Sequence, residues 1–156
     1  MDVSPLLVLL TGFVFVFGLI DDITGKKKYE AVITIPQLNW VAAYQYCRRE
    51  GGQLATITSK EKNDGFIIEL NRIRGSLGNP EHCYWIGLTS LANFNYWYWM
   101  STGKALVDFN AWDSGEPKSH TGSLRCASAG YKSETSWFWH SANCENICYF
   151  VCEYQG

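Results

Sequence analysis

The sequence carries little charge and none of the residue patterns that accompany common enzyme chemistry. Only 18% of its 156 residues are charged, and the formal net charge is −2, which argues against general binding to nucleic acid or acidic membranes. The chain contains no glycine-rich phosphate loop, no Ser-His-Asp order and no paired catalytic carboxylates. Internal repeats, low-complexity tracts and N-x-Ser/Thr acceptor sites are also absent, so N-glycosylation is not expected. These absences give no support to catalysis, and the length fits one domain.

The amino terminus carries a long apolar run. The run at 5–20 is shorter than the roughly 20 residues that a membrane-spanning helix needs. Its length is typical of a signal-peptide core, although no basic residue precedes it. We predict cleavage after Gly18 and secretion; the alternative is an uncleaved anchor, which the lysines at 26–28 would orient with the domain in the cytoplasm. The predicted organisation is a signal peptide at 1–18, a short segment at 19–27 and a domain at 28–156.

The cysteines favour the secreted alternative. There are six: Cys47, Cys83, Cys126, Cys144, Cys148 and Cys152. An even count behind a secretory signal predicts three disulfides. A zinc site at the last three cysteines is the alternative, but the segment CYFVCEY is strand-like and lacks a loop that could wrap a metal. Six cysteines allow 15 pairings, so their spacing alone does not choose among them.

Residue periodicity predicts one strand, two helices and then a mostly β half. Apolar alternation and β-branched residues indicate strands, whereas capping residues mark the start of each helix. The first half is predicted as a strand at 29–35, a helix at 40–50 capped by Asn39, a helix from the capping box Thr58-x-x-Glu61 to Arg74, and a loop at 75–80. The second half is predicted as strands at 84–88, 124–130, 135–140 and 147–154, with a long loop at 89–123. Such a long loop in a compact domain is usually functional.

Five segments, in this order, resemble the C-type lectin domain. They are NWVAAYQYCRREGGQLATI, YWIGL, WYWMSTG, FNAWDSGEP and CENICYFVCE. The resemblance covers about 28–154, and the chain is similar to the secreted single-domain lectins of insects. It implies an α+β fold with two helices, antiparallel sheets, a long irregular loop region and three disulfides. It also implies a non-enzymatic recognition module rather than an enzyme.

The resemblance implies a disulfide pairing. Cys47 is expected to pair with Cys152, and Cys126 with Cys144. Cys83 and Cys148 are left for a third bridge. Family members with a third bridge usually place it at the amino terminus, so this chain departs from the family there.

The resemblance also locates a calcium and sugar site, of which most ligands are missing here. Sugar-binding relatives hold calcium with a Glu-Pro-Asn triplet, a Glu shortly before the next Cys, and a Trp-Asn-Asp triplet. Glu116 keeps its carboxylate, but the other positions are Lys118, Leu124, His140 and Ser141. Calcium prefers six to eight oxygen ligands, and these residues offer few. We therefore expect no cofactor, and in particular no calcium at Glu116.

The cations near this position have two interpretations. Lys118 is either a solvated loop charge paired weakly with Glu116, or an ammonium that partly replaces the ion. With His120, Arg125 and His140 it forms either scattered surface charge or a basic surface for a sulfated glycan, acidic protein or phosphate. The cis or trans state of Pro117 stays open.

The tryptophans of the second half divide into two groups. The resemblance places Trp85, Trp97, Trp99 and Trp112 in the core beneath the long loop. Trp137 and Trp139 are favoured as core residues on one side of a strand, with an exposed stacking platform for a sugar ring as the alternative.

Three functional hypotheses remain from the sequence. The first is a secreted module that recognises an extracellular glycan or protein without calcium. The second is a calcium-dependent lectin that uses Glu116 and further loop oxygens. The third is a component of extracellular matrix or a subunit of a lectin heterodimer, with a homodimer as the alternative assembly. The predicted ligand-binding residues are Glu116, Lys118, His140 and Ser141; nucleic-acid binding and stable membrane insertion are not expected.

Overall fold

The computed structural model describes residues 28–32, 37–77, 83–93, 96–118, 123–133 and 136–155. The predicted signal peptide, the segment at 19–27 and His120 lie outside these ranges. Within them, no helix is both long and apolar enough to cross a membrane. The elements are β1 (Lys28–Val32), α1 (Trp40–Arg49), β2 (Gln53–Leu54), α2 (Lys60–Leu77), β3 (Tyr84–Thr89), β4 (Tyr98–Trp99), β5 (Leu124–Ser133), β6 (Ser136–Asn143) and β7 (Tyr149–Tyr154).

Helix α1 begins where the sequence predicts. The Asn39 side chain accepts a hydrogen bond from the Ala42 N–H at 2.9 Å, which satisfies one of the backbone donors at the helix start. Gly51 ends the helix with a φ of 83°, a conformation that favours glycine. Cys47 is fully buried on the inner face of the helix. The predicted cap and the predicted end are both confirmed.

Helix α2 differs from its prediction at both ends. The Lys62 N–H donates to the Ser59 hydroxyl at 3.2 Å, so Ser59 is the cap and the prediction of Thr58 was wrong by one residue. Thr58 instead accepts a hydrogen bond from the Lys62 ammonium at 2.7 Å. The predicted loop at 75–80 was also wrong in its first part, because the helix continues to Leu77. A glycine weakens a helix by only about 1 kcal/mol, so Gly75 does not end it.

The strands form one seven-stranded sheet in the order β1-β7-β3-β5-β6, with β2 paired to β7 and β4 paired to β3. Every pair is antiparallel except β3 and β7, which run parallel through Tyr84 and Trp85 opposite Tyr149 and Phe150. The sheet is therefore mixed, whereas the resemblance implied antiparallel sheets. All six residues of β3 are buried because this strand lies in the middle of the sheet.

Three disulfides join the elements, and two of them follow the family pattern. Cys47 pairs with Cys152, linking α1 to β7, and Cys126 pairs with Cys144 at the base of the long loop. The third bridge joins Cys83 to Cys148, so all six cysteines are paired. The first bridge spans a sequence separation of 105 residues. Closing a loop of that length stabilises the fold by about 4–5 kcal/mol in the chain-entropy account.

The tryptophans of β6 belong to the core. Trp137 and Trp139 are 2% and 0% exposed, and burial alternates along the strand. The alternative of an exposed stacking platform is therefore wrong for both. Trp139 contacts Trp99 and Trp112 edge-on, with ring centroids 5.6 and 5.8 Å apart. This aromatic layer fixes the long loop against the sheet, since such edge-to-face pairs add to the stabilisation from burial.

The cap assignment in α2 is testable with one pair of variants. Ser59→Ala should lower the free energy of unfolding by about 1 kcal/mol, because it removes the acceptor for a backbone donor of the first turn. Thr58→Ala is the matched control, since that hydroxyl bonds only a flexible side chain, and should cost about 0.5 kcal/mol or less. Guanidinium unfolding with the disulfides intact measures both values. A larger loss for Thr58→Ala would restore Thr58 as the cap.

Candidate functional site

The site is built where the long loop runs beside strand β6, with Trp112 and Trp139 forming a parallel β-bridge. The Trp139 N–H donates to the Ala111 carbonyl at 2.7 Å, and the Asp113 N–H donates to the Trp139 carbonyl at 3.0 Å. The chain then turns, with the Glu116 N–H donating to the Asp113 carbonyl at 3.0 Å. Gly115 takes a φ of 80° in this turn, and the peptide bond before Pro117 is cis. As a result, Glu116 lies against His140 and Ser141, the residues that follow Trp139 in β6.

The Glu116 carboxylate is buried and bound by the protein itself. Its side chain is only 5% exposed. Atom Oε2 accepts hydrogen bonds from the Ser141 hydroxyl at 2.5 Å, the Ser141 N–H at 2.9 Å and the Lys118 N–H at 3.1 Å. The Ser141 hydroxyl also accepts a hydrogen bond from the Lys118 N–H at 2.9 Å. Three donors on one oxygen compensate much of the cost of burying a charge.

The other carboxylate oxygen faces two basic side chains at longer range. Lys118 Nζ is 3.7 Å from Glu116 Oε1, and His140 Nδ1 is 3.9 Å from the same atom. The Lys118 side chain is 66% exposed, so water screens this pair and it adds less than about 1 kcal/mol. Lys118 therefore holds Glu116 chiefly through its backbone N–H, which neither interpretation from the sequence included.

These contacts lower the pKa of Glu116. Burial by itself would raise the pKa of this carboxyl, because it disfavours the charged form. The hydrogen bonds from Ser141, followed by that from the Lys118 N–H and the charge of its ammonium, outweigh burial, so the pKa lies below its ordinary value of 4.5. The site is therefore built around a charged carboxylate.

A second carboxylate and a second lysine extend the site. Asp113 Oδ1 accepts a hydrogen bond from Lys132 Nζ at 2.9 Å, and this bond is the main reason that the pKa of Asp113 lies below its ordinary range. His140 lies close enough to Asp113 to lower that pKa further. Gly130 leaves room for the imidazole, since a Cβ there would come within 3.1 Å of it. No local pattern in the sequence marks this arrangement, because it depends on how β5 and β6 align.

The cations that the sequence grouped together do not all meet here. Lys118 and His140 flank Glu116. The Arg125 guanidinium instead donates to the carbonyls of Ser90 and Leu91 at 3.0 Å, just after β3. Arg125 therefore serves to hold the chain that leaves β3.

The donor set fits a calcium ion poorly. Calcium binds six to eight oxygens, chiefly from carboxylates and carbonyls. At this place one oxygen of Glu116 already accepts three hydrogen bonds, and the Ser141 hydroxyl is committed to Glu116 and Lys118. Leu124 offers no side-chain oxygen, and imidazole is a poor ligand for a hard ion. Within the described ranges, no cluster of three or more His, Cys, Asp or Glu side chains could hold a metal ion.

Known sequences and structures resemble this chain over most of its length. The family described as Lectin C-type domain matches residues 36–154. Salivary C-type lectin 1 of Aedes albopictus is 30% identical over 117 residues, covering 74% of this chain and 75% of that protein. One subunit of the snaclec coagulation factor IX/factor X-binding protein of Gloydius halys is 30% identical over 138 residues, covering 85% and 82%. The mouse scavenger receptor C-type lectin carbohydrate-recognition domain is 25% identical with a TM-score of 0.63, covering 83% of this chain and 88% of that chain.

The charged state of Glu116 predicts a pH-dependent stability. Its lowered pKa means that its stabilisation is complete above the unfolded value near 4.5 and is lost as pH falls through the folded value. Glu116→Gln should lower the free energy of unfolding at neutral pH by about 1.5–3 kcal/mol, because it removes charge-assisted hydrogen bonds. The deficit should shrink in acid.

Guanidinium unfolding of the native protein and of Glu116→Gln, from neutral pH to below 4.5, measures the difference in their free energies of unfolding. Glu145→Gln is the matched control, since it removes the same charge from an exposed side chain that accepts only a long hydrogen bond, at 3.5 Å, from the Asn39 amide. A deficit that stays constant into acid would contradict the account, because it would mean that the carboxylate charge contributes nothing.

Proposed function

The chain belongs to the C-type lectin domain family, and from that premise we propose that it is a secreted recognition module that binds an extracellular glycan or protein without calcium at Glu116. The family is one of non-enzymatic carbohydrate or protein recognition. The proposed binding face is the long-loop side of the domain, where Glu116, Lys118, His140 and Ser141 come together.

One observation carries the calcium-free part of the proposal. The carboxylate that would be a calcium ligand in a sugar-binding relative is already held by the Ser141 hydroxyl and two backbone N–H groups. For an ion to use Oε2, these hydrogen bonds would have to break, and the Ser141 side chain would have to turn away. The remaining oxygen faces Lys118 and His140, basic side chains whose positive charge, when protonated, opposes a cation. The hydrogen bonds thus supply the compensation that an ion supplies elsewhere.

Secretion has independent support from the sequence and the disulfides. Three disulfides are stable in an oxidising compartment and rare in the cytosol. The predicted signal peptide at 1–18 is consistent with this compartment. The relative from Aedes albopictus is named as a salivary protein, which is consistent with export.

A second candidate function is that of one subunit in a lectin assembly. The relative from Gloydius halys is named as a subunit of a protein that binds coagulation factors. In that case the ligand-binding face would be completed by a partner chain, and a protein ligand would be favoured over a glycan. Sedimentation of the exported protein would distinguish the two candidates, because a monomer would count against an obligate assembly.

A glycan array with calcium and with chelator tests the main proposal. The native protein should give the same binding pattern in both conditions, because no metal takes part. Loss of all binding in chelator would contradict the calcium-free proposal and favour a conventional lectin.

A gain-of-site variant provides the matched comparison. Four substitutions, Lys118→Asn, Leu124→Glu, His140→Asn and Ser141→Asp, would supply the oxygens that the family pattern requires. Calorimetric titration should then detect calcium with a dissociation constant of roughly 10⁻⁴–10⁻³ M or tighter. The native protein should show no saturable heat in the same range. Saturable calcium binding by the native protein that Glu116→Gln removes would overturn the proposal.

A further inference from the structure

A recess lies beside the start of α2, away from the Glu116 site. None of the four predicted ligand-binding residues lines it. It has a volume of about 390 Å³, within the range of roughly 300–1,000 Å³ typical of small-molecule sites. One wall is the segment between β2 and α2, with Thr56 and Thr58, and the first turn of α2 with Lys62. The opposite wall is β4 and the chain that follows it, at 102–109. We call this recess the α2 groove.

Hydrogen bonds of Thr56 join the two walls of the α2 groove and tie one wall to the sheet. The Thr56 hydroxyl is 2.7 Å from the Ser101 hydroxyl, which connects one wall to the other. Thr56 is 2% exposed, and its N–H donates to the buried carboxylate of Glu153 on β7 at 2.9 Å. These contacts anchor the groove to the central sheet, so its shape is set by the fold rather than by loose side chains.

The floor of the groove is apolar. Trp99, Leu106 and Phe109 line it, and Trp99 and Phe109 both pack against the buried Trp139. Val107 stands at the edge with 78% of its surface exposed. A branched apolar side chain that remains this exposed gains stability when a ligand removes it from water. The groove therefore favours an apolar group.

The rim of the groove is cationic. Lys62 Nζ donates a hydrogen bond to the Thr58 hydroxyl at 2.7 Å on one wall, and Lys104 lies on the opposite wall. Asp108 is the one acidic side chain among the residues that line the groove, so the lining carries two positive charges and one negative charge. Because the Thr58 hydroxyl accepts from Lys62, its own proton remains able to donate to a ligand oxygen.

We propose that the α2 groove binds a small amphipathic anion, with a ring-sized apolar body against Leu106 and Phe109 and a sulfate or carboxylate paired with Lys62 and Lys104. Apolar burial supplies affinity, and the two ammonium groups select for negative charge. This site is independent of the proposed recognition through Glu116.

Three probes separate the contributions to binding. Phenyl sulfate carries both features, inorganic sulfate carries only the charge, and benzyl alcohol carries only the ring. In ¹⁵N NMR titrations of the native protein, phenyl sulfate should shift the amides of 56–62 and 102–109, with a dissociation constant of roughly millimolar, as its size allows. Each of the other two probes should bind at least about fivefold more weakly, since each lacks one contribution. Added salt should weaken phenyl sulfate binding because it screens the rim charges.

Charge-removing variants locate the anion. Lys62→Met and Lys104→Met should each weaken phenyl sulfate binding roughly threefold to fivefold, as expected for partly exposed ion pairs. Lys60→Met is the matched control, because Lys60 lies about half a helical turn before Lys62 and pairs with Asp64 instead. It should leave the affinity unchanged. The dispersion of the NMR spectrum verifies that each variant is folded.

The opposite results would overturn the proposal. It fails if phenyl sulfate shifts no amide of the groove, or if sulfate or benzyl alcohol alone binds as tightly at the same amides. It also fails if Lys60→Met weakens binding as much as Lys62→Met does, because the effect would then come from general charge. A parallel titration of Glu116→Gln should give unchanged phenyl sulfate affinity, because Glu116 does not line the groove. Failure of the groove proposal would therefore not bear on the proposed recognition through Glu116.

Discussion

Both sites depend on the packing of one tryptophan against the long loop. Trp139 is fully buried at the centre of β6, and its backbone groups bind the chain at Ala111 and Asp113. Its ring contacts Phe109 and Trp99, which form the floor of the α2 groove. A segment without regular secondary structure is thereby held to the sheet by two backbone hydrogen bonds and a cluster of aromatic rings. The positions of Glu116 and of the groove follow from this attachment.

The attachment brings a carboxylate into a place where it cannot be well hydrated. A buried charge without partners would cost several kcal/mol, and an ion is one way to compensate it. Here Ser141 and the backbone of Lys118 compensate it, and they fix Oε2 in a hydrogen-bonded position. The same geometry that stabilises the loop therefore makes the carboxylate less available to a metal. The proposed recognition function uses a loop that is already ordered by the protein.

The sequence predicted best those features that depend on neighbouring residues. The Asn39 cap, the buried β3 and the alternation of β6 are all local patterns, and the structure has them where expected. The prediction of Thr58 as the cap was wrong because Glu61 completes a capping-box pattern with Thr58, whereas the helix begins one residue later and is capped by Ser59, which has Lys62 and not Glu three residues on. The disulfide pairing was predicted from the resemblance to a family, since the spacing of the cysteines alone allowed many pairings.

The features that were missed depend on residues far apart in the chain. The parallel pairing of β3 with β7 follows from the topology of the whole sheet, which periodicity does not specify. The α2 groove brings Lys62 close to 102–109 across the fold, and no motif marks it.

The central claim is that Glu116 is a charged carboxylate held by the protein and not by an ion. The substitutions at the calcium position are visible in the sequence, but the hydrogen bonds between Ser141 and Glu116 require the loop and β6 to be in register. A ¹³C NMR titration that follows the side-chain carboxyl of Glu116, with calcium and with chelator, measures their effect directly. The account predicts a pKa below the ordinary value of 4.5 and identical curves in the two conditions. A carboxyl resonance that moves and saturates as calcium is added, with a further fall of the pKa, would contradict it.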